Sequence, residues 1–228
     1  PKSVEYNFMF WLTGVTGGLF TKAFPFMGLW GYRLLGVIIN TLSIILSYRL
    51  LIRHIPKTHA MIGLFLVLLT LNNEIKELNY NIMSGLMNML IITVIYHAVA
   101  RQRILLLYIA GMLCSINMLT RMPNILSAGF FLGVLFHQFM QKDALSKILR
   151  NLVTAFVGFL SGIAVMYAAL KLMGHWEYFK YALGIVFNLA NDKLPVDDAS
   201  ANSYGAATLI KQCIQQTLQS VSYALYFF

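Results

Sequence analysis

The stretch Ile104–Gln141, ILLLYIAGMLCSINMLTRMPNILSAGFFLGVLFHQFMQ, decides how the rest of the chain is read. It holds two apolar runs of about 16 residues each, separated by Leu119-Thr120-Arg121-Met122-Pro123-Asn124. At 1.5 Å rise per residue such a run is roughly 24 Å long, short of the ~30 Å hydrocarbon core of a bilayer. The expectation is a short helical hairpin over 104–140, its turn below the far membrane surface and Arg121 at partial depth. An arginine there is costly unless it faces an anion or a water-filled cavity. Alternatively its guanidinium snorkels up to the headgroups. The sequence alone leaves both readings open.

Composition agrees with a membrane setting. Apolar residues make up 59% of the chain and charged residues 11%, and mean hydropathy is +0.70. Soluble domains are nearer half apolar and a quarter charged. The fold expected is therefore an all-α, polytopic integral membrane helical bundle. The net charge of +9 does not point to nucleic acid, because the basic residues are scattered between apolar runs as loop charges at a membrane face. Cys114 and Cys213 have no metal-ligand spacing and fall in unlike surroundings, so no disulfide is expected.

The apolar runs predict a transmembrane module over residues 1–172, with spans near 29–51, 58–71, 82–100, 104–119, 125–140 and 152–172. Residues 1–27 carry aromatics, glycines and Pro25 without a long apolar run, which suits a re-entrant or interfacial segment. Residues 173–228 read as an extracytoplasmic amphipathic tail. It has an interfacial helix at 176–189, a loop from Asn191 to Tyr204, and a further span beginning within Ala206–Phe228. Pro1 follows no initiator Met, and Tyr223–Phe228 stops inside an apolar run, so the chain is expected to be a fragment of a longer protein.

Alternating these spans across a bilayer sorts the charges. Arg49, Arg53, Lys57, Arg101, Arg103, Lys142, Lys147 and Arg150 fall on one side, with Asp143 as its single acid. Glu5, Glu74, Glu77, Glu177, Asp192, Asp197 and Asp198 fall on the other. The positive-inside rule makes the first side cytoplasmic, and so a multi-pass protein of the plasma (inner) membrane with extracytoplasmic acidic loops. The outer face then holds the carboxylates available for acid–base or metal chemistry, although acids avoiding the inner face give the same distribution.

Three stretches resemble the membrane module of GT-C type glycosyltransferases, the group of the protein mannosyltransferases and aminoarabinose transferases. The first is Phe10-Trp11-Leu12-Thr13-Gly14 through Phe24-Pro25, then Gly31-Tyr32-Arg33-Leu34-Leu35-Gly36. The second is Leu78-Asn79-Tyr80-Asn81-Ile82-Met83-Ser84. The third is Ile109-Ala110-Gly111-Met112, then Leu119-Thr120-Arg121-Met122-Pro123-Asn124. The resemblance implies many helices, short cytoplasmic loops, and a large first outer loop bearing a catalytic carboxylate after a first membrane helix. That helix is absent here. The expected aspartate would lie upstream of Pro1, and Glu5 is the only acid nearby.

The resemblance further implies an inverting transfer of sugar from a polyprenyl-phosphate donor to an extracytoplasmic lipid, glycan or protein acceptor. As the glycosidic bond breaks, the leaving phosphate gains charge, and cations there stabilise the transition state. Arginine offers phosphate a planar, two-pronged donor. Arg33 and Arg121 are the expected phosphate contacts, facing one cavity, with Tyr80 and Asn81 on its rim and Glu74 and Glu77 facing sugar hydroxyls. Membrane-edge anchoring is the plain alternative for Arg33, and a solvated connector for Asn72–Asn81. No cofactor motif is present. His54, His59, His97 and His137 have no carboxylate in register, so no metal site is expected. Gly158 and Gly162 form a small-xxx-small pair suited to close helix approach. A lipid-linked sugar flippase or transporter would share the outer boundary, but it predicts internal repeats or deep intramembrane charges. A non-catalytic membrane assembly subunit would need no acidic outer face.

Overall fold

The computed structural model describes residues 10–70 and 78–190, all of them helical or in short turns. Helix α1 is Trp11–Ala23; a 3-10 turn, Pro25–Met27, leads into α2, Gly28–Leu51. Next come α3 (Lys57–Thr70), α4 (Tyr80–Ala100) and α5 (Ile104–Asn117). A 3-10 run, Met122–Gly129, precedes α6 (Phe130–Met140), and α7 is Leu145–Leu172. Helix α8, Trp176–Ala190, belongs to a separate unit that begins at Trp176.

Among the described residues four segments are long and apolar enough to cross a membrane: Pro25–Leu51, Tyr80–Ala100, Met122–Met140 and Leu145–Leu172. Their outer faces remain apolar. Phe136 and Phe156 are each more than half exposed, as are Phe65 and Leu66 on α3. Surfaces of this kind are suited to lipid rather than water, and the chain is a membrane protein.

Helix boundaries differ from the sequence reading at two places, whereas the run expected at 58–71 forms α3, described over 14 residues. The helix expected at 152–172 starts at Leu145 and has 28 residues. Its first turns carry Lys147 and Arg150, which end an apolar run without ending a helix, since both are good helix formers. In the hairpin, the second arm expected from 125 opens instead as an eight-residue 3-10 run, with Pro123 at its start.

The hairpin arms also pack differently from a simple pair. Helix α5 makes its most extensive contact with α7 and its next with α4, rather than with α6. Small residues explain the choice. A Cβ on Gly111 would meet the Ala155 carbonyl, one on Gly158 would meet the backbone of Tyr108, and one on Gly162 would meet Ser115 and Met112. The Gly158/Gly162 pair therefore does bring two backbones into contact, and its partner is α5. On the opposite side of α5, Leu107, Ala110 and Cys114 bury against Ile91, Ile95 and Ala98 of α4, with Val134 of α6 completing the cluster. A second cluster joins Leu35 and Ile39 of α2 to Leu78 and Met83.

Side-chain contacts define two ends of this bundle. At one, Arg53 lies 5.3 Å over the Tyr96 ring, close to the α4–α5 and α6–α7 turns; this is the basic end. At the other, the amide of Leu12 donates to Leu119 O at 2.9 Å, and Trp11 Nε1 donates to His175 Nδ1 at 3.0 Å. In the second unit α8 carries a Lys180–Glu177 ion pair of 2.9 Å and a Trp176–Phe179 stack. The loop expected at 191–204 and the further span within 206–228 lie outside the described residues.

Candidate functional site

The end opposite the basic one is built on asparagines. Asn79 caps α4, its side-chain oxygen accepting from Ile82 N at 2.9 Å. The cap fixes Tyr80 at the first helical position with no acid in the first turn, where the positive end of the helix dipole lies. Helix α5 unwinds through three successive tight bonds, Met118 N to Ser115 O, Leu119 N to Ile116 O and Thr120 N to Asn117 O, all 3.0 Å. Pro123 then prevents the return to α geometry.

Asn124 closes the turn. Its Nδ2 donates to Ser84 Oγ at 2.8 Å, to Asn117 Oδ1 at 3.0 Å and to Asn117 O at 3.3 Å. Asn117 Nδ2 in turn donates to Asn88 Oδ1 at 2.9 Å. Asn117 has no exposed surface, so these bonds form away from water, where a partner left unsatisfied costs ~1–3 kcal/mol. The cluster ties α4, α5 and the 3-10 run together. Beside it, Thr13 and Thr120 are buried, and neither hydroxyl has a hydrogen-bond partner among the described residues.

Arg121 projects from this turn. Its backbone is extended (φ −165°, ψ 131°), and its guanidinium carbon lies 5.1 Å over the Tyr80 ring. Phe10 stacks on the same ring, centroids 4.3 Å apart and 13° from parallel. Arg121 itself is exposed, and among the described residues it has no carboxylate within ion-pair distance. The arrangement fixes the cation's position while leaving its donors facing outward.

The other expected site residues do not gather around Arg121. Tyr80 meets it, and Asn81 is exposed one position further into α4. Arg33, however, lies 5.7 Å over the ring of Trp30, and both are exposed on α2. The two arginines thus have separate aromatic partners, and neither lines the cavities bordered by Arg103, Trp11 or Phe139. An exposed Arg–Trp pair at the start of an apolar helix is the geometry of an interfacial anchor. Glu5, Glu74 and Glu77 lie outside the described residues. Among the described residues no group of three His, Cys, Asp or Glu side chains could hold a metal.

The sequence reading passes over Asn88 and Asn117, and it quotes Thr13 and Thr120 without giving them a role. Their signal is present: two amides inside otherwise apolar spans demand partners in a membrane. A shallow apolar cavity of about 330 Å³ opens at the same end, between Trp11, Gly14, Gly18 and Lys22 of α1 and the segment Met173–His175. No protein-family model, curated protein or solved structure matches this chain.

Proposed function

We propose that the chain is the membrane module of a glycosyltransferase of GT-C type, using a polyprenyl-phosphate sugar donor at the extracytoplasmic face of the inner membrane. The observation that carries the reading is Arg121: a cation without a carboxylate partner among the described residues, held on Tyr80 at a rigid turn of buried amides. A phosphate accepting from its guanidinium gains charge as the sugar leaves, and the interaction strengthens in the transition state. The α4 N-terminus adds a second positive element at the same end.

Two further features support a lipid-linked donor. The apolar cavity along α1 begins at Trp11, next to the Leu12–Leu119 hydrogen bond that joins α1 to the Arg121 turn, so a prenyl chain there has its phosphate at hand. The Thr13 and Thr120 hydroxyls, buried and unpartnered among the described residues, follow the two residues of that bond and make the junction polar. The general base is expected outside the described residues, so the described helices bind and orient the donor.

The test is sugar transfer from a labelled polyprenyl-phosphate donor in membranes carrying the protein. Arg121→Ala lowers transfer by about tenfold or more, the range for a lost charge-assisted hydrogen bond, while the amount of inserted protein is unchanged. Arg121→Lys recovers part, since a point charge replaces the two-pronged donor. Unaltered transfer by Arg121→Ala leaves Arg121 as a membrane-edge anchor and removes the reading.

A further inference from the structure

At the basic end α4, α5, α6 and α7 do not close on one another. They leave a cavity of about 260 Å³, far above what one bound water requires, about 10–15 Å³ on the same measure. Its wall is polar and positively charged. Arg103 enters from the start of α5, and Lys147 and Arg150 from the first turns of α7. The one acid in the wall, Asp143, is held by Lys147 at 2.8 Å, which leaves the two guanidinium groups uncompensated among the described residues. The N-terminus of α7 has no side-chain cap and no acid in its first turn, which adds positive potential at the same place.

A second, independent feature of the cavity is its amides. Gln102, Gln138, Gln141 and Asn151 all line it. Gln138 is 5% exposed, and its side-chain oxygen is sealed from solvent without a hydrogen-bond partner among the described residues, so the amides nearer the opening, Gln141 and Asn151, are the ones a ligand meets. An amide oxygen accepts from a hydroxyl and not from a bare anion. The complement of this wall is a phosphate that carries a hydroxyl beside it: phosphate to Arg103 and Arg150, hydroxyl to the lining amides.

We infer that this cavity binds a polyol phosphate, either the headgroup of a phosphatidylglycerol-type lipid or a free glycerol phosphate. It is separate from the Arg121 turn and does not depend on the function proposed for that turn. The anionic group neutralises the two arginines, and the hydroxyl meets the lining amides, so occupancy ties the α4–α5 and α6–α7 turns together.

The experiment uses the full chain in a nonionic detergent, with thermal unfolding as the readout. The probes are short-chain phosphatidylglycerol, short-chain phosphatidic acid, short-chain phosphatidylcholine and sn-glycerol 3-phosphate. Phosphatidylglycerol raises the unfolding temperature and phosphatidylcholine does not. Protection by the lipid alone identifies a headgroup as the source, whereas protection by glycerol phosphate too identifies a soluble ligand; either supports the site. The double variant R103Q/R150Q, altered at exposed positions, unfolds unliganded at the wild-type temperature. It requires about tenfold more phosphatidylglycerol for the same protection. Gln141→Leu narrows the preference for phosphatidylglycerol over phosphatidic acid, which lacks the hydroxyls. Lys57→Gln, altered at a basic residue outside the cavity, leaves protection intact. Protection by no phosphate-bearing probe, or equal loss in Lys57→Gln and R103Q/R150Q, overturns the inference.

Discussion

The two ends of the bundle solve the same problem in opposite ways. Both bury polar side chains where helix packing leaves no bulk water. At the Arg121 end Asn88, Asn117, Asn124 and Ser84 bond to one another, and the turn they build is closed, although the Thr13 and Thr120 hydroxyls beside it have no partner among the described residues. At the basic end Gln138 is equally buried but unpaired, and it lines an open cavity with Arg103 and Arg150. A closed amide cluster provides rigidity and presents one residue outward; an open one provides a binding site. The difference predicts which substitutions act on folding and which on ligands.

The seam joining the ends is the most sensitive element. At Gly158 any Cβ meets the Tyr108 backbone, and backbone cannot shift as a side-chain tip can. Gly158→Val forces α5 and α7 apart, and overpacking of this kind costs ~1–3 kcal/mol or more. Loss of the folded peak in detergent size-exclusion chromatography is the expected result. Gly85 has nothing within 4 Å of the position its Cβ would take, and Gly85→Ala is expected to retain that peak.

Within the closed end the expected cost is next largest. Asn117→Leu strands Asn88 and removes one acceptor from Asn124, for a loss of ~2–4 kcal/mol at ~1–3 per unsatisfied group. Thermal unfolding in detergent reads it. Arg121→Ala removes only an exposed cation–π contact, worth ~0.5–1 kcal/mol. Stability should separate the two variants sharply, while both reduce the transfer proposed above. If Arg121→Ala is as destabilising as Asn117→Leu, the turn serves folding and the contrast between scaffold and presented residue fails.

The same physics decides how much of this is legible in the sequence. Helical class and membrane character come directly from apolar runs, whose length and composition depend little on partners. The Gly158/Gly162 approach is legible because two small residues four apart share one helix face. The limits of α7 are not, because apolar run and helix are different things: Lys147 and Arg150 end the first but extend the second. The 3-10 run after Pro123 is half legible, since a proline marks a break in a helix without fixing the geometry of the residues beyond it. Arg33 and Arg121 look equivalent in sequence because each sits near the same expected boundary. Their difference lies in partners, Trp30 three residues away on the same helix and Tyr80 across a tertiary contact, and only the second requires the fold. Gln138 is illegible for a related reason: a glutamine near a helix end is ordinary until burial removes its water.

The smallest expected effect gives a test by sign rather than by size. Among the described residues Asp143 is the only acid in the basic cavity's wall, paired with Lys147 four residues along the chain, and the two side chains retain 21% and 33% of their exposure. Such a pair contributes ~0.3–0.5 kcal/mol, so Asp143→Asn should change the unfolding temperature of the unliganded protein very little. Its effect on the cavity runs the other way. Removing the carboxylate releases the Lys147 ammonium and raises the formal charge of the wall by one, while the asparagine keeps the shape. Protection by phosphatidylglycerol should therefore appear at a concentration a few-fold lower than in the wild type. The gain should shrink as ionic strength rises from about 0.01 to 0.15 M and the Debye length contracts from roughly 30 to 8 Å. A structural ion pair whose loss merely loosens the α6–α7 turn predicts weaker protection instead, with little dependence on salt. The direction of the shift, read in one titration at two salt concentrations, tells an anion site from a turn that happens to be basic.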